Sequence, residues 1–81
     1  MFVNVTIKID EQSFDIKINS QQKIKNALAI LRQSGKVPQG ETPDYTRSML
    51  TQSLVSTHKT FAEEGIFDGD KLVFHSQNNQ T

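Results

Sequence analysis

The chain has no cysteine among its 81 residues, which rules out a disulfide, a thiolate zinc site and an iron–sulfur cluster and fits a reducing compartment. It has no excess of either charge. Nine Lys and Arg balance nine Asp and Glu, and a neutral domain has no strong general attraction for nucleic acid. It has no long apolar run, whereas a membrane-spanning helix needs about 20 apolar residues, so direct membrane insertion is not expected. Its four glycines are scattered, which excludes a phosphate-cradling loop. The first residues, Met1-Phe2-Val3-Asn4-Val5-Thr6-Ile7-Lys8, alternate apolar with polar. They place no basic stretch before an apolar run, so they do not read as a signal peptide. A cytoplasmic location is the expectation.

The length suits one domain. A chain of this size buries only about 60% of its unfolded surface, and a cavity for a cofactor would weaken so small a core. The expectation is a protein that binds rather than catalyses, with no cofactor. The charges are unevenly spread along the chain. Residues 1–40 carry six basic and three acidic side chains, and residues 41–81 carry three basic and six acidic. That pattern reads as two solvated surfaces of opposite sign, or as a polar docking face.

Val3, Val5, Ile7 and Ile9 alternate with Asn4, Thr6 and Lys8, the period of a half-buried strand. Asp10-Glu11-Gln12-Ser13 reads as a turn, after which Phe14, Ile16 and Ile18 alternate with Asp15 and Lys17. The chain thus opens with an antiparallel hairpin, apolar on one face and polar on the other. Asn19 or Ser20 is a good helix N-cap. Ile24, Ala27, Leu28 and Leu31 form a helical stripe. Gly35 stands where the helix should end, with Pro38 soon after, so a helix is predicted over residues 20–34. Residues 36–44 read as a loop. Tyr45, Arg47 and Met49 share one face of a third strand, and Leu54-Val55-Ser56 forms a short fourth, with Thr51-Gln52-Ser53 between them.

Thr60 and Glu63 have the spacing of a capping box, which opens a one-turn helix ended by Gly65. Ile66 should enter the core beside Phe61. Asp68-Gly69-Asp70 makes a tight turn into a last strand, Lys71-Leu72-Val73-Phe74-His75, with Leu72 and Phe74 inward. The apolar character of that strand suits a central place, parallel to the first strand. Residues 76–81 are polar and read as a flexible tail; residues 1–75 are the domain.

Little here suggests chemistry. Asp68 and Asp70 offer two carboxylates, but a calcium loop needs several further oxygen ligands at fixed spacing, so they read as a turn. His58 and His75 fall short of the three or four ligands that zinc wants and read as surface residues. Ser56 and His58, two apart in an extended segment, are not placed to activate one another. No catalytic, cofactor-binding or metal-ligating residue is expected.

The order of hairpin, helix, short strand pair, capped turn and final strand resembles ubiquitin and its relatives over residues 2–75. The expected fold is therefore a ubiquitin-like β-grasp of the α+β class, a mixed sheet of four to five strands with one main helix on one face. Within it, Thr60-Phe61-Ala62-Glu63-Glu64-Gly65-Ile66-Phe67-Asp68-Gly69-Asp70-Lys71-Leu72 is similar to the YukD/EsaB proteins, small cytoplasmic ubiquitin-like accessory proteins of the type VII (WXG100) secretion system. That resemblance implies a protein partner in the secretion machinery, such as a membrane component. Conjugating relatives and sulfur carriers end in Gly-Gly, because only glycine is slim and flexible enough for the activating enzyme's channel. This chain ends Asn79-Gln80-Thr81, so neither conjugation nor a thiocarboxylate is expected, and the YukD/EsaB branch likewise lacks the glycine pair. The other reading is a β-grasp small subunit or adaptor serving an enzyme or a signalling complex.

Recognition would then fall to surfaces. The outer sheet face should carry Phe2, Asn4, Thr6 and Lys8 from the first strand. Lys71, Val73 and His75 come from the last, and Arg47 and Met49 from the third. Phe2, Lys8, Arg47, Met49, Val73 and His75 are the candidate protein-binding residues, a mixture suited to protein contact. A slip of one residue in the third strand would replace Arg47 and Met49 by Ser48 and Leu50. The open edge of the second strand offers another mode, strand addition, although Asp15 and Lys17 are residues of the kind that protect an edge.

Overall fold

A computed structural model of the chain describes residues 1–75, and the tail expected over residues 76–81 lies outside the described residues. The elements run β1 (Phe2–Ile9), β2 (Gln12–Asn19), α1 (Ile24–Gln33), β3 (Tyr45–Ser48), β4 (Ser53–Ser56) and β5 (Lys71–Phe74). One five-stranded sheet takes the order β2-β1-β5-β3-β4. β5 pairs parallel to β1 and antiparallel to β3, and the two hairpins β1–β2 and β3–β4 flank it. The central, parallel placement expected for the last strand is found.

The alternation of β1 explains its burial. Val3, Val5 and Ile7 are buried, while Asn4 is exposed and Thr6 only half-buried. They join Ile18, Leu72 and Phe74 beneath Ile24, Ala27, Leu28 and Leu31 of α1. The hairpin loop is only Asp10-Glu11, shorter than expected, because Gln12 and Ser13 already pair with Ile9 and Lys8. Asp10 takes φ 53°, a left-handed conformation that Asp tolerates better than most residues.

α1 departs from the sequence reading at its start. It begins at Ile24 instead of near Ser20, and the residue before it, Lys23, makes no side-chain cap. Asn19 instead closes a local turn, its Oδ1 accepting from the Gln21 N–H at 3.0 Å. The buried Ser20 carbonyl accepts from the Ala62 N–H. The first helical N–H groups, of Ile24 and Lys25, donate to the carbonyls of Lys59 and Thr57, each at 2.9 Å. A neighbouring loop thus does what a cap side chain does elsewhere. The C-terminus follows expectation. Gly35 has φ 78°, and the N–H groups of Gly35 and Lys36 donate back to Arg32 and Leu31 at 3.0 Å, a Schellman ending.

Thr60 and Glu63 form the reciprocal capping box. The Thr60 N–H donates to Glu63 Oε1 at 2.9 Å and the Glu63 N–H to Thr60 Oγ1 at 3.0 Å. They close a hydrogen-bonded turn that does not extend into a helix, since Gly65 at φ 70° ends it at once. Phe61, inside the turn, and Ile66, just after Gly65, are buried in the core.

Candidate functional site

β3 runs against the usual pattern. Its inward side chains are Thr46 and Ser48, both buried, and its outward ones are Tyr45 and Arg47. The inward hydroxyls are satisfied. Thr46 Oγ1 donates to the Val73 carbonyl, and Ser48 Oγ donates to Asp70 Oδ2 at 2.7 Å. Asp70 is only 1% exposed, and its Oδ1 also accepts from the N–H groups of Leu50 at 3.1 Å and Lys71 at 2.8 Å. The carboxylate therefore fastens the end of β3 to the start of β5. Asp68 does a similar service on the other side, accepting from the Asn4 N–H at 2.7 Å. The Asp68-Gly69-Asp70 segment is thus the turn expected, with Gly69 at φ 90°, and both acids serve the sheet.

Turning hydroxyls inward leaves apolar side chains outside. In the register of the sheet, Val73 stands beside Lys8 on one side and Arg47 on the other, and Arg47 stands beside Leu54. The Met49 N–H donates to the Lys71 carbonyl, which places Met49 at the next step. Tyr45 is 59% and Leu54 62% exposed. With Arg47, Met49, Val73 and His75 they line a shallow hollow of about 330 Å³. Lys8, Lys17, Arg47 and Lys71 lie on this face with Asp15 as the acid among the strands' outward residues. The charge asymmetry between the chain's halves therefore does not divide the molecule into two poles, because β5 from the second half sits beside β1 from the first.

Of the six candidate residues, the structure brings Arg47, Met49, Val73 and His75 together around the hollow, with Lys8 paired to Val73. Phe2 stands apart, at the far end of β1 opposite Asn19, with Lys17 Nζ 5.6 Å from its ring centre. Sequence reasoning did not place Tyr45 and Leu54 in the group. For Tyr45 the signal is the alternation of β3, whereas the place of Leu54 follows from the register of β4 against Arg47. The turn between the two strands also differs from the expected Thr51-Gln52-Ser53. It spans residues 49–52, with Gln52 at φ 61°, and Ser53 already belongs to β4.

A second hollow, of about 300 Å³, lies between the end of α1 and the loop after it. Arg32 spans this hollow, donating to Thr42 Oγ1 at 2.8 Å and to the Glu41 carbonyl at 3.2 Å, so it reads as the seat of that loop. His58 Nε2 lies 2.8 Å from Asp44 Oδ1 on the surface. Among the described residues no group of three or more His, Cys, Asp or Glu could hold a metal, and no helix is long and apolar enough to cross a membrane.

The sheet order, the single main helix and the capped turn define a ubiquitin-like α+β fold. The chain is similar in structure to the ubiquitin of Caldiarchaeum subterraneum, at a TM-score of 0.68 and 17% identity over 100% of both chains. It is also similar to the C-terminal ubiquitin-like domain of mouse tubulin-specific chaperone e, at a TM-score of 0.67 and 12% identity over 100% of this chain and 92% of that one. A third similar structure is the EccD5 ubiquitin-like domain from Mycobacterium xenopi, at a TM-score of 0.55 and 18% identity over 99% of both chains. No protein-family model matches the chain, and no curated protein matches it by sequence.

Proposed function

We propose that this chain is an accessory or regulatory protein of a bacterial type VII secretion system, acting in the cytoplasm by binding a protein partner and not by catalysis. The observation that carries the binding reading is the inverted β3, which faces Thr46 and Ser48 inward and leaves Tyr45, Met49, Leu54 and Val73 around a solvent-facing hollow. The cations Lys8, Arg47 and Lys71 border this apolar centre. Charge complementarity selects a partner segment with apolar side chains flanked by acids. The secretion reading is supported by the likeness of residues 60–72 to the YukD/EsaB proteins. At 18% identity or less, the structural likenesses support the fold alone.

The test has two arms. With this chain as bait, detergent-solubilised membranes should yield a component of the secretion machinery, and deleting its gene should reduce export of WXG100 substrates. Recovery of no such component, together with normal export, rejects the secretion reading. Leu54→Ser and Arg47→Glu should each weaken capture by about tenfold. Unchanged capture by both variants rejects the face.

A further inference from the structure

β2 is an edge strand, and among the described residues no strand lies beyond it. The direction of its backbone groups follows from its neighbour. The Thr6 N–H donates to the Asp70 carbonyl at 3.0 Å, and the Asn4 carbonyl accepts from the Gly69 N–H at 2.9 Å. Thr6 and Asn4 thus turn their backbone groups away from β2. Their cross-strand partners, Asp15 and Lys17, accordingly turn theirs to the open edge, since pairing alternates along an antiparallel ladder.

The inner side of this edge is incompletely covered. Ile18 is buried, but Phe14 and Ile16 are only half-buried. Beside Lys17 and Ile18, at the Asn19 end of the strand, Asn26, Ala29, Ile30 and Gln33 of α1 line a shallow groove. Ile30 is 49% exposed.

We propose that β2 pairs with β2 of a second copy of this chain, antiparallel and centred on Ile16, joining two sheets into one. The pattern Phe14-Asp15-Ile16-Lys17-Ile18 is complementary to itself when reversed about its centre. Asp15 then lies opposite the partner's Lys17, and Lys17 opposite the partner's Asp15, on the outer face. Phe14 meets the partner's Ile18 on the inner face, where the two copies of Ile16 also meet. A two-fold axis perpendicular to the sheet relates the copies, so the two α1 helices lie on the same face of the joined sheet. The same surface serves both partners, so the assembly closes at a dimer. Charges on an edge protect it against strands that leave them unpaired, but opposite charges directly across from one another stabilise a strand pair. This edge carries opposite charges two residues apart, both outward. β1 separates this edge from the Val73 hollow, so the dimer does not depend on the function proposed above.

Sedimentation equilibrium from about 1 μM to about 1 mM should show a concentration-dependent dimer. Asp15→Lys sets lysine against lysine at both symmetric positions, and Lys17→Asp sets aspartate against aspartate. Each should raise the dimer dissociation constant by about tenfold or more. The double variant D15K/K17D should dimerise again. An equimolar mixture of the two single variants should form a heterodimer, because two lysines of one chain then face two aspartates of the other. Far-UV circular dichroism checks that the variants fold, and both substituted positions are exposed. A chain that stays monomeric throughout overturns the proposal. So does a dimer indifferent to both single substitutions, a mixture that does not pair, or a dimer abolished by Leu54→Ser.

Discussion

Removing a carboxylate from water costs several kcal/mol unless its oxygens are bonded, and the oxygens of Asp70 take three hydrogen bonds from Ser48, Leu50 and Lys71. Asp70→Ala would strand the buried Ser48 hydroxyl and two N–H groups, at about 3 kcal/mol. Asp70→Asn keeps one acceptor oxygen and should cost about 1 kcal/mol. Urea unfolding of the two variants checks both values, and an alanine variant within 1 kcal/mol of the parent would contradict the role given to Asp70. Glu63 makes a prediction in pH. The backbone hydrogen bond from Thr60 holds its carboxyl below the ordinary value of 4.5, with Lys59 and Lys23 nearby adding to the effect. A depressed folded pKa contributes stability that is present above the unfolded value and lost as pH falls through the folded one. The parent should therefore lose melting temperature on acidification below about 4.5, and Glu63→Gln, which still caps Thr60 but does not titrate, should lose less over that range. Parallel slopes in a thermal melt series would count against the box. The Asp68-Gly69-Asp70 turn was legible in the sequence, because turn chemistry is local. The burial of Asp70 was not, because its partners Ser48 and Leu50 come from another strand's end.

Each end of α1 was legible to the extent that its cap lies within the chain segment itself. Gly35 is read from one residue: a helix that must end in the left-handed region selects glycine there. Gly35→Ala at φ 78° should cost about 1 kcal/mol, whereas Gly40→Ala, outside that region and with open space around it, should change stability by less than about 0.5 kcal/mol. Equal losses in denaturant unfolding would remove the distinction. The N-terminus misled because Asn19 and Ser20 are good cap residues used for other purposes, while the actual acceptors are carbonyls of Thr57 and Lys59, more than thirty residues away. β3 was hard to read for a related reason. Periodicity identifies a strand's inner face by its apolar residues, and here the inner residues are Thr46 and Ser48, satisfied by β5 and its leading turn. The outward set Tyr45, Arg47 and Met49 was nonetheless legible from alternation alone. What alternation could not supply was Leu54, whose place beside Arg47 depends on the register of β3 against β4.

At the scale of the whole molecule, the core is unequally shared among the strands. β1, β2, β5 and α1 supply most of it, whereas β3 and β4 supply Val55 alone among the buried apolar residues. A two-stranded hairpin with so little apolar cover is marginal by itself, so β3–β4 depends on its seam with β5, made of a short ladder and the Asp70 network. The outer face built on β3 and β4 thus rests on the least anchored part of the sheet, which is where binding elements tend to lie. Native-state hydrogen exchange should resolve this. Amides of β3 and β4 should exchange through a partial opening at least about 2 kcal/mol below the free energy that governs β1 and α1. Asp70→Ala should lower protection in β3 and β4 and in α1 alike, by about 3 kcal/mol, because the network at the seam is lost both in the partial opening and in global unfolding. Leu72, fully buried at the centre of the sheet, touches the shared core, so Leu72→Ala should lower protection in β1 and α1 by about 3 kcal/mol. Uniform protection across all five strands, with Leu72→Ala acting equally everywhere, would mean that β3–β4 opens only with the whole molecule, and the face it carries would then be as rigid as the core.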